Sequence, residues 1–227
     1  MKTCNDNFNI YNLRFVKERL ADKAYATVEE LIVTLALPPG HIFSETALSR
    51  QIEIGRTPLR EALQRLAADR LVKVMPRKGM MVSEINSTDQ LAMLETRREL
   101  DRLVVSRAAR RATDIQLDLL QETGGAIHAA AGASDIAAFM RLDRKCDEIL
   151  EAASRNPFAA QALAPLHTHC RRFWYQYQHE GDLGQSADLH ERMIDAVLSR
   201  DEQAAGSAAD AIIDYLERFT REALDLV

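Results

Sequence analysis

The sequence predicts a mostly α chain, with an N-terminal winged helix-turn-helix followed by an all-α helical bundle. Three observations carry this. The first third alternates short amphipathic helices with turn signals and closes in a hairpin. Beyond Ser87, helix formers dominate and no alternating strand pattern occurs. The charge divides at the same place: residues 1–83 hold 13 Lys and Arg against 9 Asp and Glu, and residues 84–227 hold 16 against 25. The net −5 of the 227-residue chain is therefore the sum of a basic head and an acidic body, an asymmetry that points to two jobs. The expected domains are 1–84 and 85–227.

The elements follow in order. Ala21 to Leu37 places Tyr25, Val28, Leu31, Ile32 and Leu35 on one stripe, and Pro38-Pro39-Gly40 ends it. Ser44 is a good N-cap for a short helix through Ala47, Leu48 and Ile52. After Glu53-Ile54-Gly55, a third helix from Arg56 to Arg70 buries Leu59, Ala62, Leu63 and Leu66. Leu71 to Met75 and Met80 to Ser83, joined by Pro76-Arg77-Lys78-Gly79, read as a hairpin. Six further helices are expected over about 87–112, 114–130, 134–153, 156–179, 185–200 and 202–225, joined by short loops as in a bundle.

Composition limits the function. Hydrophobic residues at 47% and charged residues at 28% exclude a disordered or collagen-like chain. No stretch approaches the ~20 apolar residues that cross a bilayer, so no membrane partner is expected. Residues 1–10 are polar and do not read as a secretory signal. Cys4, Cys146 and Cys170 form no C-x-x-C pair and read as reduced thiols of a cytoplasmic protein.

With the apolar stripe of the third helix turned inward, Arg56, Thr57 and Arg60 share the opposite face near its N-terminus. A recognition helix offers side chains to the major groove of double-stranded DNA from that position. The guanidinium fork matches guanine O6 and N7, and Thr57 suits a phosphate. Arg77 and Lys78 in the hairpin turn are placed for phosphate or minor groove, and Gly79 permits close backbone approach. The plainer alternative is a set of solvated basic residues on a surface helix. Helix order, loop spacing and hairpin together favour the DNA reading.

These residues carry a resemblance. Leu37-Pro38-Pro39-Gly40, Phe43-Ser44-Glu45, Ala47-Leu48, Gly55-Arg56-Thr57-Pro58-Leu59-Arg60-Glu61-Ala62-Leu63 and Pro76-Arg77-Lys78-Gly79 closely resemble the DNA-binding domain of GntR-family transcription regulators. The resemblance implies Arg56, Thr57, Arg60 and Gly79 as DNA contacts. Gly55 replaces the family's usual Ser, and Thr46 stands where Arg is frequent.

The remainder resembles the helical effector domain of the FadR subfamily, the FCD domain. The carrying residues are Glu95-Thr96-Arg97-Arg98-Glu99-Leu100-Asp101, then Leu142-Asp143 with Cys146-Asp147 and Leu150, then Leu189-His190-Glu191 with Met193-Ile194, Ala196-Val197 and Asp201. Many such domains hold a divalent metal through one Asp and three His, and the metal helps bind a small carboxylate effector. The resemblance thus points to Asp143, Asp147 and His190 as metal ligands. Asp143 lies within the apolar stripe Ile136, Phe139, Met140, Cys146, Ile149 and Leu150, with Asp147 one turn beyond. The family's first His is Asp147 here, and its last falls at Ile212 or Tyr215. An Asp/Asp/His set suits Mg²⁺ or Mn²⁺ better than Zn²⁺. A buried hydrogen-bonded network, with the carboxylates satisfied by arginine or by ligand, is the alternative. Arg97 or Arg98 could clamp an effector carboxylate. His169, Arg172 and Tyr215 are further candidates for the effector site, and His167 or His169 for a substitute ligand.

The sequence therefore predicts a homodimeric, ligand-responsive, DNA-binding transcription regulator. A metal-dependent helical-bundle enzyme with a regulatory winged helix is the runner-up. It is disfavoured because no Glu-x-x-His pair, His-Glu-x-x-His run or phosphate-cradling Gly loop occurs. A winged helix serving only protein contacts is disfavoured by the clustered Arg56, Arg60, Arg77 and Lys78.

Overall fold

The computed structural model describes residues 19–179 and 182–225; residues 1–18, including Cys4 and the polar N-terminal stretch, lie outside them. The elements run α1 (Leu20–Val33), β1 (Ile42–Phe43), α2 (Glu45–Gln51), α3 (Arg56–Ala68), β2 (Val72–Met75), β3 (Gly79–Val82), α4 (Ser87–Arg111), α5 (Asp114–Gly132), α6 (Ile136–Ser154), α7 (Pro157–Tyr177), α8 (Asp182–Leu198) and α9 (Glu202–Asp225).

Each boundary has a local cause. The first helix stops at Val33 rather than Leu37 because Leu35 turns left-handed, with φ 58°, and Pro38 cannot continue a helix. Ser44 caps α2 by accepting from the Ala47 amide at 3.1 Å. Asn86 Oδ1 caps α4 by accepting from the Thr88 amide. Thr113 and Gln116 form a reciprocal capping box at α5. Arg155, at φ 53°, ends α6, and Asn156 with Pro157 immediately starts α7.

The three strands form one antiparallel sheet in the order β1-β3-β2, with Val72 opposite Val82 and Met75 opposite Gly79. The two-residue β1 is absent from the sequence reading; it is too short to show alternation. It also gives Gly79 its reason. Gly79 has φ 107°, and a Cβ there would lie 2.4 Å from the Phe43 carbonyl oxygen. The glycine lets β1 and β3 meet, and this close approach inside the sheet accounts for it without reference to DNA.

Two main apolar cores result among the described residues, beside a small cluster of Ala24, Ile54 and Ala62. Val28, Ile32, Leu48, Leu59, Leu63, Leu66, Leu71 and Val82 fill the winged helix. The larger core lies within the bundle, where α4 packs against α6, α7, α8 and α9. Because α4 is surrounded, it buries Gln90, Arg97 and Asp101 along with Leu94 and Val104, and no single apolar stripe marks it. Gly206 brings α9 close to α4: a Cβ there would sit 2.8 Å from Ser106 Oγ. Val33, at the end of α1, joins the bundle core, so α1 feeds both cores.

Candidate DNA-reading face and buried polar cavity

The candidate DNA-reading face follows from the inward stripe of α3. Leu59, Ala62, Leu63 and Leu66 are buried, which leaves Arg56, Thr57 and Arg60 exposed on the outer face. Arg60 is held before any ligand arrives. Its Nε and Nη2 donate to Glu45 Oε2 on α2 at 3.1 and 2.7 Å, and this partner raises the guanidinium pKa. Arg77 and Lys78 lie exposed in the β2–β3 turn. Lys78 donates its amide to Met75, and Arg77 takes φ 62°, the positive value that the third position of a type II turn demands after a proline. These basic groups sit at the N-terminal end of α3 and in the β2–β3 turn, and among the described residues Glu45 is the acid bonded to them.

The second site is a cavity of about 60 Å³ inside the bundle, walled by Phe139, Trp174, Leu189, Met193, Ile212 and Leu216. Its polar side is a chain of buried ions. Asp143 Oδ1 lies 2.8 Å from His190 Nε2, and His190 Nδ1 lies 2.7 Å from the Ser186 carbonyl. Both ring nitrogens face acceptors, so the imidazole carries both protons. His167 Nε2 lies in hydrogen-bond geometry 2.7 Å from Asp101, and its Nδ1 lies 3.0 Å from Asp147 as an ion-pair contact only. Burial opposes charge on both histidines, but the facing carboxylates outweigh it and raise both pKa values. Asp147 shows the converse: burial opposes ionisation, yet His167, Arg171 and Arg97 hold its carboxyl down to about 2. Arg97 Nε donates to Asp101 at 3.0 Å, and burial pushes Glu151 up.

Arg171 is the hub. Nη1 donates to Asp147 at 2.7 Å and to Asp143 at 3.2 Å. Its Nη2 lies 3.7 Å from Oε1 of Glu29 on α1. Glu29 is itself buried at 4% exposure; it accepts from Thr168 Oγ1 and pairs with Arg144 at 2.7 Å. One guanidinium thus joins the cavity to the first helix of the winged domain. A second junction stands one residue on: Arg172 Nη2 donates to the Ser83 carbonyl at 2.5 Å, and His169 Nε2 meets the Asp69 carbonyl at 2.9 Å.

The structure therefore separates the residues singled out from the sequence. Asp143, Asp147, His190, Arg97 and Tyr215 line one cavity. Tyr215 stands there as a hydroxyl that accepts from Trp174 Nε1 at 2.9 Å. Arg98, one position from Arg97, points instead between α4 and α9, bonding Asp214 and Glu217 at 2.7 and 3.1 Å. His169 and Arg172 face the domain junction rather than the cavity. The two carboxylates proposed as metal ligands already share Arg171 as their cation, so this donor set as arranged does not fit a metal ion. Among the described residues, the group whose ligand atoms lie within 4.8 Å of one another is His128, Asp188 and Glu191, partly or fully exposed on α5 and α8. Glu29 is not among the residues the sequence points to, and Asp101 appears there only as the end of a motif. Asp101 had a signal, an i,i+4 pairing with Arg97; Glu29 had only its place one turn before Val33.

Comparison with known proteins agrees with both halves. Residues 20–82 match the bacterial regulatory proteins of the gntR family, and residues 92–215 match the FCD domain. An uncharacterized HTH-type transcriptional regulator of Agrobacterium vitis, from the TAR-I ttuE-ttuC' intergenic region, is 29% identical over 58% of this chain and 78% of its own. The uncharacterized HTH-type transcriptional regulator YdhC of Bacillus subtilis is 26% identical over 80% and 82%. Among solved structures, E. coli McbR/YncC superposes with a TM-score of 0.78 at 19% identity, covering 89% of this chain and 97% of that one. A putative GntR regulator from Rhodococcus sp. RHA1 gives 0.67 at 19%, covering 91% and 98%. No described helix is long and apolar enough to cross a membrane. With a gntR-type winged helix at its head and an FCD bundle behind it, this chain belongs to the GntR family of DNA-binding transcription regulators, in the branch that carries an FCD domain.

Proposed function

We propose that the chain acts in the cytoplasm as a homodimer on a two-fold operator, and that a small organic acid in the bundle cavity changes its affinity for that operator. One recognition helix reads only a few base pairs, and two-fold pairing doubles the site. Arg56, Thr57 and Arg60 read or anchor in the major groove, and Arg77, Lys78 and Gly79 form the wing beside it.

The observation that carries the ligand response is the shared guanidinium of Arg171. Arg97 and Arg171 are the permanent cations of the cavity. An acid entering there competes with Asp143 and Asp147 for Arg171, and Arg171 also faces Glu29 of the winged domain. Ligand binding and the seating of α1 are then linked through one side chain, which supplies the differential contact that a population shift requires. Arg97 and the Tyr215 hydroxyl complete the polar wall. The cation at this centre is Arg171 rather than a divalent ion.

The test is a thermal-shift screen of small organic acids, followed by operator titration with each acid that stabilises the protein. An acid that stabilises the wild type, shifts operator affinity and loses both effects in Arg97→Met supports the reading. Stabilisation without any change in operator affinity contradicts it.

A further inference from the structure

The larger opening lies where the two domains meet. There a cleft of about 520 Å³ opens between the end of α3, the segment before α4, and the middle of α7. The bundle cavity holds about 60 Å³ and must widen to admit the effector proposed above. Small-molecule sites span roughly 300–1,000 Å³, so the cleft has the volume of a metabolite site, and a turn of its buried polar side chains would bring them to a ligand there.

Its polar lining is unusually incomplete. Arg172 is 1% exposed. One of its nitrogens donates to the Ser83 carbonyl, while Nε and Nη1 have no partner. Ser83 Oγ and Gln90 Oε1, both buried and both lining the same cleft, are unpartnered as well. Buried polar groups are ordinarily satisfied, and four orphans around one opening mark a place built to be filled. Two are cationic donors, one is a pure acceptor, and one is a hydroxyl that can serve as either. Burial pushes the Arg172 guanidinium down to about 10 against the pull of Glu84, so its charge is poorly compensated where it stands. Three carboxylates also line the cleft. Asp69 is engaged by the Tyr25 hydroxyl at 2.8 Å, whereas Glu84 and Asp89 are exposed, and Arg70 and Lys73 stand near them.

We infer that this cleft is a second ligand site, for a small oxyanion that carries a neighbouring hydroxyl or amine, of the hydroxy-acid or amino-acid class. The oxyanion pairs with Arg172, and the adjacent O–H or N–H donates to Gln90 Oε1. A ligand seated there touches both domains. The inference does not use the bundle cavity, so it stands or falls separately from the effector reading given above.

The experiment is a titration of full-length protein, followed by the Arg172 Nε–H resonance, assigned by its disappearance in Arg172→Lys. The probes are glycolate and inorganic phosphate, each against sodium chloride of matched ionic strength. The expected result is a saturable shift with glycolate, weakened by about tenfold or more in Gln90→Leu. His190→Asn, which disturbs only the bundle cavity, should leave that titration unchanged. If Arg172→Lys does not fold, Ser83→Ala and Gln90→Leu still carry the test through calorimetric titration of glycolate. No saturable response to either probe overturns the site. A response equal to that of chloride overturns it too, as ionic strength alone. Equal binding of phosphate and glycolate, untouched by Gln90→Leu, overturns the assigned ligand class.

Discussion

Glu29 of α1 and Arg171 of α7 face each other across the domain junction at 3.7 Å, both buried, and the same guanidinium holds Asp147 at 2.7 Å. A buried ion shared between two domains ties the state of one to the other. Removing one partner leaves charges without compensation, which costs roughly 3–5 kcal/mol for a buried pair. Glu29→Gln is therefore expected to lower the urea midpoint of the whole protein. It should also weaken the response of operator binding to the effector while Arg56, Thr57 and Arg60 still bind DNA. A variant with unchanged stability and a full effector response would exclude Glu29 from the coupling.

Stability should depend on pH in a defined direction. His167 and His190 have raised pKa values in the folded protein. Their contribution is complete below the unfolded value of about 6.5 and is lost as pH rises through the folded values. Asp147, held at about 2, contributes above the unfolded carboxylate value and loses that contribution only as pH falls towards 2. His169, lowered by burial, works against the other two histidines near neutrality but is one group against two. Urea midpoints should fall from pH 6 towards pH 9, and His190→Asn should flatten that slope. A midpoint that rises over this range would contradict the charge assignment of both imidazoles.

Gly79→Ala tests the sheet. The new methyl would lie 2.4 Å from the Phe43 carbonyl oxygen at a φ of 107°. Overpacking and backbone strain together cost roughly 2–6 kcal/mol, comparable with the entire stability of a small domain. Operator binding should be lost while the helical domain retains its far-ultraviolet signal and its cooperative melt. A fully active variant would mean that β1 does not pair with β3.

The wing contact and the α3 contact should separate by salt. Lys78→Ala removes a phosphate contact and should lower affinity for all DNA sequences alike, reducing the salt slope by about one. Glu45→Ala should leave the slope unchanged but weaken specific binding, because Arg60 loses the partner that holds it. Equal losses on specific and random DNA in Glu45→Ala would show that this ion pair does not orient a base contact.

The winged helix was legible because its signals are local: Ser44 as a cap, Gly55 before α3, and the Pro76 to Gly79 turn each act within a few residues. The six bundle helices were legible from composition and caps. Asp143, Asp147 and His190 could be assigned to one interior because each falls within an apolar stripe. Their partner could not. In the sequence Arg171 is only a basic residue beside Phe173, Trp174 and Tyr175, and nothing local states that it spans α6, α7 and α1. Arg97 and Arg98 looked equivalent as neighbours, but a 100° step along α4 sends one to the cavity and the other to α9. Glu29 depends wholly on how two domains pack, which no periodicity reports.

The most direct measurement is anisotropy titration of DNA from the region flanking the chain's own gene, beside a scrambled duplex of equal length, with wild type and Arg60→Ala. Wild type should bind the flanking DNA more tightly than the scrambled duplex, with affinity falling steeply as salt rises. Arg60→Ala should lose roughly 1–3 kcal/mol on the flanking DNA and almost nothing on the scrambled one. If the variant keeps the full wild-type preference, Arg60 does not read bases and the assignment of α3 as the recognition helix is contradicted.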